Sequence, residues 1–122
     1  MPAPPNPTRL HPAPLNVAVL GLGRMGRIYA RTLAEDAGAR LYAVADPDAR
    51  ARAAVGEALR VPFVLETAEA ALALPDLDAV VVATPTDTHA ALVGAAAAER
   101  KAIFCEKPLA LTRDETYAAL AA

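Results

Sequence analysis

Tryptophan is absent from this chain, and aromatic side chains make up only 4% of its 122 residues. A core here cannot be assembled around large rings. It has to come from Val, Leu, Ile and many alanines, a composition suited to helices lying close against a sheet. Cysteine is as scarce: Cys105 stands alone, so an internal disulfide is excluded and nothing points to a secreted, cross-linked scaffold. The formal net charge is −2, and the basic residues, mostly arginine, are scattered, so there is no electrostatic case for a nucleic-acid partner. No apolar run reaches the length of a membrane span. What remains is a chain of one domain at most, large enough for a core of its own.

Residues 1–14 carry six prolines and no apolar stretch of the kind a signal peptide needs. They read as a disordered leader or a misassigned start; the competing reading is a proline-rich ligand. From residue 16 the pattern alternates. Val17–Leu20 predicts a buried strand, and Arg24–Glu35 a helix with Met25, Ile28, Thr32 and Leu33 on its inward stripe. Arg40–Ala45 predicts a second strand. Asp46-Pro47 then opens a helix running to about Leu59, with proline in the first helical position after a capping residue. Val61–Leu65 predicts a third strand, edge-like because of Pro62, and Thr67 caps a brief helix ending near Leu74. The β-branched run Asp78–Thr84 is a strand buried on both faces, Thr86–Glu99 a fourth helix capped by Thr86 or Asp87, and Ala102–Cys105 a fifth strand. Thr112-Arg-Asp-Glu115 reads as a capping box opening one more helix. Such alternation implies an α/β fold, a doubly wound parallel (Rossmann) sheet, whose ligands sit at the carboxyl ends of the strands. Gly21, Asp46, Thr84 and Glu106 all fall at those ends.

Gly21-Leu-Gly-Arg-Met-Gly26 leaves the first strand and enters the first helix. In that setting the glycines have separate tasks: a tight turn, close approach of backbone to a pyrophosphate, and close packing of helix on sheet. The same spacing also occurs in ordinary strand-to-helix turns, and it is the flanking strand and helix that strengthen the match. Asp46 lies about 20 residues beyond the last glycine, where a carboxylate accepts hydrogen bonds from the adenosine ribose and repels a 2′-phosphate; it is equally a good helix cap. Arg50 and Arg52, one turn on, bear on the same choice of cofactor. His89 shares a stripe with Leu92, Val93 and Ala96 and reads as structural, and Cys105 as inert core. Cys105-Glu-Lys-Pro108 places two charges at the end of a buried strand. Lys107 there can donate to an oxygen that gains negative charge, or the step is a solvated loop.

Gly21-Leu-Gly-Arg-Met-Gly26, Ala45-Asp-Pro47, Ala83-Thr-Pro-Thr-Asp-Thr-His89 and Cys105-Glu-Lys-Pro-Leu-Ala110 together resemble, in order and spacing, the Gfo/Idh/MocA oxidoreductases. The resemblance covers residues 16–122, its Glu-Lys-Pro step is its most specific element, and residues 19–28 with 84–89 are most similar to the inositol dehydrogenase branch. It implies that Gly21, Gly23 and Gly26, with the backbone of Leu22, Arg24 and Met25, hold the pyrophosphate of NAD, and that Asp46 binds the adenosine ribose. It further implies that Thr84 and Pro85 line the cofactor cleft, that Glu106, Lys107 and Pro108 face the nicotinamide, and that Lys107 is the catalytic-site lysine. A Lys107–Pro108 cis bond is an associated expectation. The family's members continue into a second α+β domain carrying an Asp and a His as acid/base pair. Residues 15–122 therefore read as the NAD-binding domain of a longer chain, cytoplasmic and homo-oligomeric, acting without a metal on a polyol or sugar. Two further readings stay open: a stand-alone or truncated NAD(H)-binding module without turnover, and a nucleotide-sensing regulator, which no DNA-reading element supports.

Overall fold

The computed structural model describes residues 13–107, with positions 114, 120 and 121 beyond them. The leader up to residue 12, Pro108, and the capping box at Thr112 lie outside the described residues. The elements run β1 (Leu15–Leu20), α1 (Arg24–Glu35), β2 (Ala39–Ala45), α2 (Ala49–Ala58), β3 (Phe63–Leu65) and α3 (Ala68–Leu72). Then come β4 (Ala79–Val82), a 3₁₀ turn (Thr86–Thr88), α4 (His89–Ala98) and β5 (Ala102–Cys105). All strand pairs are parallel, in the order β3-β2-β1-β4-β5. The doubly wound architecture is as the alternation required, and the order reverses between β1 and β4, where such sheets open a ligand crevice.

Each face of the sheet has its own core. One joins Ala18, Leu20, Val80 and Val82 to Ala71 and Leu72 of α3 and Leu92 and Ala96 of α4. The other joins Val17, Val19, Val44 and Val81 to Ala30 of α1 and Val55 of α2. Alternate residues of β4 thus serve opposite faces, and its continuous Val80–Val82 run has no solvent side. Ala18, Ala30, Ala43, Ala71 and Ala96 are wholly buried, which is where the alanine-rich composition is spent. The register of β2 against β1 jumps between Val17 and Ala18, leaving Tyr42 extra in β2, so that Tyr42 and Ala43 join the same core.

Several boundaries differ from expectation. The inward stripe of α1 is Gly26, Tyr29, Ala30 and Leu33; of the expected stripe only Leu33 belongs, while Met25 and Ile28 are 39% and 44% exposed. The cause is Gly26: a Cβ there would lie 1.8 Å from the Gly21 carbonyl oxygen, so close contact at this position sets the rotation of the helix. Asp46-Pro47 does not begin α2. Asp48 caps it, accepting from Arg50 N at 2.9 Å and Ala51 N at 3.3 Å. β3 starts at Phe63 rather than Val61, and Thr67 caps α3 as expected through Ala70 N at 3.1 Å. The fourth helix begins as a 3₁₀ turn without a side-chain cap from Thr86 or Asp87, because Thr88 N already closes on Pro85 O at 2.9 Å.

Candidate functional site

A cleft of about 560 Å³ opens at the carboxyl ends of β1, β2, β4 and β5. Its floor is the glycine turn. Gly21 has φ +94°, and a Cβ on it would come within 2.6 Å of the Ala83 carbonyl, so the turn out of β1 excludes any side chain. Gly23 differs: nothing lies within 4 Å of the place its Cβ would take, and that space belongs to the cleft. Gly23 also begins α1 with no side-chain cap, and no acidic residue sits in the first turn. The N-terminal N–H groups and the positive end of the helix dipole are therefore left without a carboxylate partner of their own. An open approach over Gly23 to such a helix end fits a pyrophosphate.

Asp46, half-buried, faces this turn from the end of β2. Its Oδ2 accepts from Leu22 N at 2.7 Å and its Oδ1 from Asp48 N at 2.8 Å. One carboxylate thus ties the glycine turn to the β2–α2 loop and keeps lone pairs for a further donor. Arg52 braces the same loop, Nη1 donating to Asp46 O and Pro47 O, both at 3.1 Å.

The opposite wall is Thr84, Pro85 and Thr86, leaving β4. His89 lines it at only 1% exposure, with Nε2 2.7 Å from Thr84 O. A carbonyl can only accept, so Nε2 carries the hydrogen. Leu92, Val93 and Ala96 are buried with it on α4, on the stripe read from the sequence, and His89 stands where that stripe reaches the cleft wall.

At the far end the β4–β5 ladder runs one step past the strand, Glu106 N donating to Val82 O at 3.0 Å. Glu106 follows directly on the last residue of β5. It lines the cleft and accepts a hydrogen bond from Tyr29 Oη on α1. That bond first, then desolvation and the Glu106 charge, push the Tyr29 phenol above its ordinary pKa. Lys107 follows, exposed and lining the cleft. Cys105 is half-buried, and burial, then the Glu106 charge, push its thiol up, which keeps it protonated and unreactive.

Of the expected site residues, Gly21, Gly23, Arg24, Met25, Asp46, Thr84, Pro85, Glu106 and Lys107 come together around the cleft. Leu22 and Gly26 do not line it: the Leu22 side chain is 2% exposed in the core, and Gly26 lies beneath the Gly21 carbonyl. Tyr29 was not singled out from the sequence, although helical spacing from Gly26 puts it on the inward stripe.

The model of the oxidoreductase family with an NAD-binding Rossmann fold (Gfo/Idh/MocA) matches residues 15–122. The inositol 2-dehydrogenase of Rhizobium meliloti is 44% identical over 102 residues, 84% of this chain and 30% of that protein. The NAD⁺-dependent scyllo-inositol 2-dehydrogenase of Bacillus subtilis is 41% identical over 103 residues, again 84% and 30%. Among solved structures, scyllo-inositol dehydrogenase of Lactobacillus casei, with NAD(H) and scyllo-inositol bound, superposes with a TM-score of 0.83 at 26% identity, over 87% of this chain and 32% of that one. This chain thus spans about 30% of the length of the curated relatives it matches. With a 3-2-1-4-5 sheet, a glycine turn opening an uncapped helix and a family match over residues 15–122, the chain belongs to the Gfo/Idh/MocA oxidoreductases, as their NAD-binding Rossmann domain.

Proposed function

We propose that the cleft holds NAD in preference to NADP, as the cofactor half of a dehydrogenase acting on a secondary alcohol of an inositol-like polyol. In this reading Gly23 and the first turn of α1 take the pyrophosphate, and Asp46 takes the adenosine ribose. Thr84 and Pro85 flank the dinucleotide, and Glu106 and Lys107 stand at the nicotinamide. When bound, NAD supplies the hydride acceptor. Lys107, exposed at the cleft's far end, is the residue able to donate to a substrate oxygen whose charge changes.

The observation that carries the reading is the open space over Gly23 at an α1 terminus with no side-chain cap. The cofactor preference rests on Asp46, whose carboxylate would confront a 2′-phosphate, while Arg52 is held on backbone carbonyls instead. Fluorescence titration of the chain should show NADH binding tighter than NADPH by about tenfold or more, a difference of about 1.4 kcal/mol. Asp46→Ala should narrow that gap and weaken both, because Leu22 N loses its acceptor. Equal or tighter binding of NADPH by the unaltered chain would refute the preference.

A further inference from the structure

Tyr29 makes two contacts at the carboxyl end of β5. Its ring meets Phe104 edge-on, centroids 5.4 Å apart, and its hydroxyl donates to the Glu106 carboxylate. The two contacts follow from strand periodicity. Residues two apart on an extended chain share a face, and the Glu106 N–H to Val82 bond carries the extended ladder beyond Cys105. Phe104 and Glu106 therefore both face α1, while Ile103 and Cys105 pack on the opposite core. β5 has only β4 as a strand neighbour among the described residues, and its Ile103 and Cys105 face the core shared with α4, so α1 meets it on the other face. Tyr29 makes that contact, three residues beyond the glycine that fixes the rotation of α1.

We infer that Tyr29 is a positioning residue for the nicotinamide end of the cleft: by tethering Glu106 to the phosphate-binding helix, it sets where Lys107 stands relative to the cofactor. The inference rests on the cofactor reading above. A tyrosine phenol is protonated throughout the neutral range, and here its pKa is shifted upward, so Tyr29 remains the donor to Glu106.

The test separates the two halves of the dinucleotide. ADP-ribose carries the adenosine and both phosphates but no nicotinamide. In the 122-residue chain, Tyr29→Phe keeps the ring against Phe104 and removes only the hydroxyl. It should weaken NADH about tenfold, because Lys107 is no longer held at the nicotinamide half, and leave ADP-ribose unchanged. Glu106→Leu, which removes the acceptor and so tests the same tether from the other side, should do likewise, and the double variant should be no worse than the weaker-binding single one. Two results would overturn the inference: both ligands held as before, or both weakened alike, since a merely structural tyrosine would loosen the glycine turn for each. Failure of the cofactor reading is distinguishable, because the unaltered chain would then bind neither ligand, and the inference would fall with it.

Discussion

The three glycines of the turn are chemically identical but answer to different constraints. Gly26 presses on backbone: a Cβ would sit 1.8 Å from one carbonyl oxygen, and no flexible side chain is there to yield. Gly26→Ala should destabilise the chain by about 3 kcal/mol or more, at or above the usual range for overpacking. Gly23→Ala meets open space, and its effect on stability should stay within about 1 kcal/mol. Its Cβ would nevertheless fill the approach we assign to the pyrophosphate, so NADH affinity should drop while ADP-ribose affinity drops equally. Urea denaturation and ligand titration on the same two variants check this. Undiminished NADH binding by a folded Gly23→Ala chain would remove the pyrophosphate from this spot. The glycine spacing and the separate tasks of its members were plain in the sequence; how severely each position excludes a Cβ was not, because that depends on what each absent Cβ would meet in three dimensions.

At the level of elements, the alternation of strand and helix was readable from the apolar runs and the turn residues between them. Thr67 as a cap, the two-sided burial of β4 and the edge position of β3 after Pro62 all followed from local chemistry. The errors lie where a contact from outside the element overrides a local rule. Asp46 ahead of a proline looks like a cap, but its carboxylate is drawn to Leu22 N, 24 residues away, and the cap passes to Asp48. The stripe of α1 was misjudged for the same reason: Met25 and Ile28 are the more apolar residues, and the Gly26–Gly21 contact turns them outward. The Tyr29–Glu106 bond spans 77 residues and has no local signature. Two aspartates doing separate jobs can be told apart by mutation. Asp48→Ala removes the acceptor of Arg50 N and Ala51 N and should cost about 1 kcal/mol of stability in urea, with little change in NADH affinity. A marked loss of affinity on Asp48→Ala would show that the β2–α2 loop, and not Asp46 alone, shapes the ribose end.

For the whole molecule the question is whether a cleft that holds a dinucleotide can also take a proton from an alcohol. Its described candidates are already engaged. His89 is buried with Nε2 on the Thr84 carbonyl, Glu106 accepts from Tyr29, and both Asp46 oxygens accept backbone N–H groups. General-base assistance contributes about 10²–10⁴ in rate, and a second wall that orients the substrate contributes further. The relatives named for inositol oxidation are about three times longer than the matched region. We therefore expect the 122-residue chain to bind NADH yet to give no steady formation of NADH from myo-inositol or related polyols. Apolar side chains left outward, Phe104 at 53% and Leu120 at 70% exposure, should make it associate as concentration rises. Leu109 and Leu111 lie outside the described residues. Nicotinamide absorbance followed over a polyol panel, beside light scattering, measures both. Sustained turnover by this chain alone would mean that one of the engaged groups, His89 or Glu106, leaves its partner to act as the base, and Glu106→Gln and His89→Gln would then identify which.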